Sequence, residues 1–355
     1  MNTPSFQEKL ISQLPAVELL KNLGYEYISP GEAVEARGGR LGSVLLEKIL
    51  AEQLRKQNVI HFRGREYPFS EGNILAAVQT LKDVMDDGLL RTNEKVYDLL
   101  CLGRSMQQSI EGDTRSFQLD YIDWEHPENN VYHVTEEFMV ERSGSHELRR
   151  PDIVLFVNGV PLVVIECKRP DMKDPIGQAI SQHIRNQQQD QIPRLFFYAQ
   201  LLFAISKNEA RYATVGTIPK FWSAWKEDFG ESDAADLKEK VKLSLTESQI
   251  DRILASGASW AREKANSGSL ERQVTPQDRA LYALCRKERL LELIFRFMLF
   301  DGGEKKVARH QQYFCVNKIL DRVRKIQRDG TRQGGVVWHT PVSYTHLTLP
   351  TKRIV

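Results

Sequence analysis

The apolar positions along the chain change period once, and that change organises the sequence. In "SVLLEKILAEQLRKQN", Leu45, Leu46, Ile49, Leu50 and Leu54 fall on one helical stripe, with Ser43 in place as an N-cap. The pattern returns in "FSEGNILAAVQTLKDVM" through Ile74, Val78, Leu81 and Met85. "RTNEKVYDLLCLG" predicts a third helix, capped by Thr92 and stopped by Gly103. The first third of the chain therefore reads as helical. The period then shortens to two. Phe117, Leu119 and Tyr121 alternate in "SFQLDYIDW", and Val131 and His133, then Phe138 and Val140, alternate in "NVYHVTEEFMVE". Both stretches predict strands, separated by the loop "EHPENN".

The next stretch, "RRPDIVLFVNGVPLVVIECKRP", reads as a β-hairpin: two apolar runs joined by Asn158-Gly159. The run "VPLVVI" is almost wholly apolar, which predicts a strand covered on both faces. "FFYAQLLFAIS" and "RYATVG" add a helix end, a strand, a turn at Lys207-Asn208-Glu209 and another strand. From about Thr217 the composition shifts. Phe221, Trp222 and Trp225 read as a packing patch. "DAADLKEKVKLSLTESQIDRILA", "LCRKERLLELIFRFMLF" and "KKVARHQQYFCVNKILDRVRKI" read as helices, the last amphipathic through Phe314, Val316, Ile319 and Val323. The fold class expected is α/β, a mixed central sheet flanked by helices.

Composition narrows the classes. The 355 residues are 41% hydrophobic and 27% charged, as in soluble globular proteins. A net charge of +2 gives no bulk grip on nucleic acid, though it allows a local patch. Cys101, Cys167, Cys285 and Cys315 are far apart, form no CxxC, and read as free thiols of a reducing compartment with no zinc site. "MNTPSFQEKLISQL" lacks the basic start and apolar core of a secretory signal. No apolar run approaches the roughly 20 residues a membrane-spanning helix needs. A cytoplasmic protein is expected.

The charges at the open end of the hairpin carry the chemistry. Residues two apart on a strand share a face, so Glu166 and Lys168 point the same way where a buried strand emerges. Asp152 depends on parity. A strict two-residue turn pairs Val157 with Val160, and hence Asp152 with Ile165, leaving Glu166 on the opposite face. Convergence of the two acids requires a one-residue slip, by a β-bulge or a longer loop, or a kink at Pro151-Asp152. Pro161 cannot donate to the ladder and favours such an irregularity. Two converging carboxylates suit Mg²⁺, which takes oxygen ligands and keeps several waters. A lysine beside that metal orients a water, and the set suits phosphodiester hydrolysis.

At these residues the sequence resembles a known family. "PDIVLFVNGVPLVVIECK" is similar to the PD-(D/E)xK nuclease motif as carried by the R subunit of type I restriction-modification enzymes. "SVLLEKIL", "DPIGQAISQHIRNQQQDQIPRLFFYAQLLFAIS", "ARYATVGT", "FWSAW", "RHQQYFCVNKILDRV" and "GGVVWHT" resemble further stretches of that subunit, from about residue 30 to about residue 340. The resemblance implies a PD-(D/E)xK nuclease-like domain over residues 1–235 with a helical N-terminal part, and a helical linker over 236–303. It implies the start of a truncated helicase-like motor domain over 304–340 and an atypical tail over 341–355.

The resemblance also assigns residues. Asp152 and Glu166 would hold Mg²⁺ with the backbone carbonyl of Cys167, and Lys168 would be the catalytic lysine. Gln182 is retained from a Gln-xxx-Tyr pattern, with Asn186 where tyrosine is expected. Glu47 is either a further carboxylate of the site or an exposed helix residue. Arg149, Arg150, Lys168, Arg169 and Lys173 form a basic cluster, either a seat for DNA phosphates or a solvated strand end. Arg309 and Gln312 occupy positions that contact the adenine of ATP in related translocases. A glycine-rich phosphate loop is expected after "GGVVWHT", yet "PVSYTHLTLPTKRIV" has no glycine. This chain is therefore not expected to bind ATP tightly, and residues from Pro341 are expected to be poorly ordered. The implied function is cleavage of double-stranded DNA in a complex with methyltransferase (M) and specificity (S) subunits. The alternatives are a stand-alone repair or recombination nuclease of the same motif, and a non-catalytic DNA-binding or assembly module.

Overall fold

The computed structural model describes residues 9–243, 272–326, 330–332 and 334–336. The chain divides into two compact units, Met1–Ala308 and Arg309–Val355. The first unit is built on a six-stranded mixed sheet. In chain order its strands are β1 (Glu26–Tyr27), β6 (Tyr132–Glu136), β9 (Ile153–Val157), β10 (Val160–Lys168), β11 (Leu201–Ser206) and β12 (Glu209–Ala213), which is also their order across the sheet. β10 and β11 are parallel, and β9 and β10 antiparallel. Every residue of β9, β10 and β11 is buried, as the unbroken apolar runs predict.

Helices cover the sheet. A π-helical turn (Lys9–Gln13) leads into α1 (Leu14–Asn22), followed by α2 (Pro30–Ala36), α3 (Glu47–Gln57), α4 (Glu71–Lys82) and α5 (Leu89–Leu102). After the hairpin come α6 (Pro175–Asn186) and α7 (Pro193–Tyr198), then α8 (Glu231–Lys242), α9 (Pro276–Cys285) and α10 (Lys287–Arg296). Residues 276–308, expected in part as linker and in part as motor, lie within the first unit. There β13 (Met298–Asp301) and β14 (Glu304–Val307) form a hairpin, so the "MLF" expected as helix is strand. In the second unit, α11 (His310–Arg324) opens with the Arg309 backbone N–H donating to Gln312 Oε1 at 2.8 Å. Val316 and Val323 of its expected stripe are exposed, and Tyr313 is the buried residue. Residues 337–355, with most of "GGVVWHT" and the tail, lie outside the described residues, as do residues 244–271.

Several helix ends differ from expectation. Ser43 does not cap α3: Val44, Leu45 and Leu46 are buried ahead of the helix, which starts at Glu47. The Leu46 N–H goes instead to Gly159 O at 2.9 Å, which ties this segment to the hairpin turn. Thr92 is buried inside α5 and its hydroxyl accepts from the Asp87 N–H; Gly103, at φ 62°, ends that helix as expected. Met85 lies past the end of α4 and is exposed. Two further hairpins precede the sheet's second strand. They pair β2 (Val59–Phe62) with β3 (Arg65–Pro68), and β4 (Arg104–Ile110) with β5 (Asp113–Leu119). Of their four strands the apolar pattern announces one, β5, whose end matches the start of "SFQLDYIDW". "RSMQQSI" buries only Met106 and Ile110, so its alternation is too weak to read. β7 (Val140–Glu141) and β8 (Leu148–Arg149) form a further short pair.

A buried polar cluster locks α5, α7 and the β13–β14 hairpin to the sheet. Asn93 Nδ2 faces three carbonyls, those of Phe196, Phe197 and Ala199, at 2.9 to 3.0 Å. Its Oδ1 accepts from Lys305 Nζ at 2.7 Å, and the same ammonium donates to Gln200 Oε1. Burial holds the Lys305 pKa well below its usual value. Asn93→Leu leaves three carbonyls and an ammonium without their partner in a dry site. We expect it to lower the unfolding free energy by about 3 kcal/mol, read as a shifted midpoint in urea.

Candidate active site

The hairpin turn fixes where the site begins. Asn158 and Gly159 both have positive φ, 51° and 81°, the backbone of a tight turn matched to strand twist. A Cβ on Gly159 would lie 2.7 Å from Leu46 O, so glycine is required by space as well as by φ. Asn158 is fully buried: its amide donates to Tyr121 O and Asn130 Oδ1, and its carbonyl accepts the Val131 N–H.

From the turn the pairing runs Val157 to Val160 and Phe156 to Pro161, then slips, so that Leu155 meets Val163 and Ile153 meets Ile165. Leu162 is the extra residue of a β-bulge. The irregularity that convergence of the two acids requires is therefore present, beside Pro161. The slipped register sets Asp152 level with Glu166, on one face of the sheet.

The side chains meet there. Asp152 Oδ2 accepts the Cys167 N–H at 2.7 Å and lies 3.7 Å from Lys168 Nζ. Lys168 Nζ donates to Cys167 O at 2.7 Å. Gln182 Nε2 donates to Glu166 Oε2 at 2.6 Å, and Asn186 Nδ2 approaches Oε1 at 3.4 Å. Asn186 thus takes a polar contact with the acid from the position where tyrosine is expected. Glu166 is fully buried. Burial raises its pKa well above the usual value, and the Asp152 charge raises it further; Lys168 and Arg185 act in the opposite direction.

α6 is held so that this face meets the strand. Asp174 accepts the Gly177 N–H at its N-terminus, with Pro175 in the first turn. On its buried side His183 Nε2 meets Phe203 O at 2.9 Å and its ring tilts over Trp222. Burial lowers the His183 pKa to about 4, so the ring is neutral and its Nε2–H donates. Trp222 is core, and Trp225 packs against Tyr212, which bears out the packing patch; Phe221 stays exposed.

Other expected residues fall elsewhere. Glu47 pairs with Lys82 at 2.8 Å and accepts from Ser43. It starts the helix whose preceding residue, Leu46, is tied to Gly159 at the hairpin turn. Its hydrogen-bond and ion-pair partners among the described residues are Lys82 and Ser43, not the residues around Glu166. Arg149 donates to Gln191 and Arg169 pairs with Asp171, whereas Arg150 and Lys173 are exposed. Three residues not singled out in the sequence border the site. Ser12 Oγ donates to Lys168 O, and Gln13 Nε2 donates to Asp152 O and to Glu136 Oε2. Glu136, buried opposite Ile153, also accepts from Tyr27. An acid inside an apolar strand was a readable signal for Glu136. Nothing local marks Ser12 or Gln13, whose partners lie far along the chain.

Two buried like charges with a backbone carbonyl between them are a donor set that a divalent cation relieves, and Mg²⁺ needs no more from the protein. Among the described residues no group of three or more His, Cys, Asp and Glu forms a fuller metal cage.

The chain belongs to the family of type I restriction enzyme R protein N termini, whose model matches residues 5–220. It is 24% identical, over 96% of its own length and 30% of the relative's, to a Methanocaldococcus jannaschii protein described provisionally as the type I restriction enzyme MjaIXP endonuclease subunit. It is 28% identical, over 94% of its length and 28% of the relative's, to the type I restriction enzyme HindI endonuclease subunit of Haemophilus influenzae. The chain thus spans less than a third of these relatives. Among the described residues, no helix is long and apolar enough to cross a membrane.

The raised Glu166 pKa has a thermodynamic sign. Its contribution to stability is fully present below the unfolded carboxyl pKa and is lost as pH rises through the higher folded value. Without metal, Glu166→Gln should therefore melt at a higher temperature than the parent at neutral pH, with the gap closing in mild acid. Thermal melts in chelator across that range test this; a gap that widens in acid would refute it.

Proposed function

We propose that the chain is the nuclease part of a type I restriction R subunit, hydrolysing phosphodiesters of double-stranded DNA with Mg²⁺ held by Asp152, Glu166 and the Cys167 carbonyl. The observation that carries this reading is the bulge at Leu162, which turns both acids to one face beside Lys168. A buried carboxylate pair is costly for a merely structural strand end.

Each protein group has a task. Gln182 holds Glu166 through one oxygen and leaves the pair oriented. The Cys167 N–H fixes Asp152. Lys168, next to Asp152, positions the attacking water and carries positive charge toward the phosphate. Bound Mg²⁺ would supply a more acidic water and neutralise phosphate charge. The water oxygen bonds to phosphorus, one phosphorus–oxygen bond to sugar breaks, and the leaving oxygen takes a proton. The partners assigned are duplex DNA and M and S subunits, in the cytoplasm. ATP-driven translocation belongs to the whole subunit, through a motor that starts near Arg309 and Gln312.

Glu166→Ala and Lys168→Ala are each expected to lower Mg²⁺-dependent DNA cleavage by about a thousandfold while the far-ultraviolet circular dichroism stays that of the parent. Parental cleavage by either well-folded variant would sink this assignment.

A further inference from the structure

The groove outside Glu166 has a volume of about 640 Å³ and is walled by α6. Gln178, Ser181, Gln182 and Arg185 line it at helical spacing, together with Lys168. Most of these donors are already engaged. Gln178 Nε2 donates to Lys173 O, the Ser181 hydroxyl to Gly177 O, Gln182 to Glu166, and Lys168 to Cys167 O. Asp174, on the rim, caps α6. Arg185 differs. Its guanidinium meets Asn186 Oδ1 only at the limit of 3.5 Å and forms no ion pair among the described residues. Arg185 is also close enough for its charge to act on Glu166.

A strand entering this groove brings phosphates toward two carboxylates, and only Lys168 and Arg185 line it with positive charge. Lys168 is taken up with the acids. We propose that Arg185 anchors a backbone phosphate of the DNA strand being cut, next to the phosphate held at Asp152, Glu166 and Lys168. The guanidinium offers a planar fork of donors that matches phosphate oxygens. The inference rests on the nuclease reading above and adds the residue that seats the substrate strand.

The test is Mg²⁺-dependent cleavage of a linear duplex by the 355-residue chain, its Arg185→Ala and Arg185→Lys variants, and Glu166→Ala, each over a range of salt. Arg185→Ala should raise KM for DNA about tenfold with kcat little changed, and reduce the slope of log KM against log salt by about one. Arg185→Lys should recover the slope and only part of the affinity, because it restores the charge without the fork. A parental KM and salt slope in Arg185→Ala, with the parent chain cutting and Glu166→Ala inactive, overturns the anchor and leaves the nuclease reading standing. A fall in kcat with KM and slope unchanged also overturns it. If the parent chain cuts no better than Glu166→Ala, the nuclease reading fails and the anchor with it.

Discussion

One extra residue in a β-ladder decides which way Glu166 points. Side chains on a strand alternate, so a single slip between β9 and β10 moves the carboxylate from one face of the sheet to the other. The slip happens at Leu162, and its displaced carbonyl is not left bare: the Gln200 N–H donates to it at 2.7 Å. Gln200 is itself held. Its side chain donates to Tyr198 O and accepts from Lys305, and its carbonyl accepts the Thr214 hydroxyl. Lys305 also grips Asn93, which gathers the carbonyls at the end of α7. The register of the acids thus depends on a polar cluster drawn from five separate segments.

The site itself is held against its own electrostatics. Glu166 is fully buried beside a second carboxylate, and no hydrophobic gain favours either group there. What supports them is a set of directed donors: the Cys167 N–H on Asp152, the Gln182 amide on Glu166, and one lysine bridging Asp152 and the Cys167 carbonyl. The neutral His183, on the buried side of α6, lets that helix press against the sheet without adding a buried charge. The cost of the acid pair is offset by the apolar residues around it, in strands β9 and β10 that are buried along their whole length.

The legible parts of the sequence were those with a local cause. Asn158-Gly159 dictates the turn, the unbroken apolar runs dictate two-sided burial, and parity demanded an irregularity before Asp152 and Glu166 could meet. Pro161 marked where it would fall. Glu47 shows the limit of that reading. Its position on an early helix said nothing about what that helix touches; Leu46 meets the hairpin turn at Gly159, and Glu47 itself pairs with Lys82. β4, the partner of the strand that Phe117 and Leu119 announced, was hidden because a half-exposed strand of polar residues carries little period. Ser12, Gln13 and Lys305 were invisible for a third reason: each acts through a partner a hundred or more residues away.

Lys305 also bears on where the acid-bearing unit ends. Motif order alone placed residues from 304 with whatever follows the nuclease. Packing places residues 304–308 with the unit that carries the six-stranded sheet, because β14 delivers a lysine amine that is buried against Asn93 and Gln200 and flanked by the rings of Tyr97 and Phe300. A buried lysine without those acceptors would carry a desolvation penalty that a hairpin this short has little means to offset. Conversely, Gln200 without the lysine would leave a carbonyl oxygen buried next to the strand that fixes the bulge. The hairpin and the bulge stabilise each other, which makes the β13–β14 hairpin a structural part of the acid-bearing sheet even though its sequence carries no residue of the site.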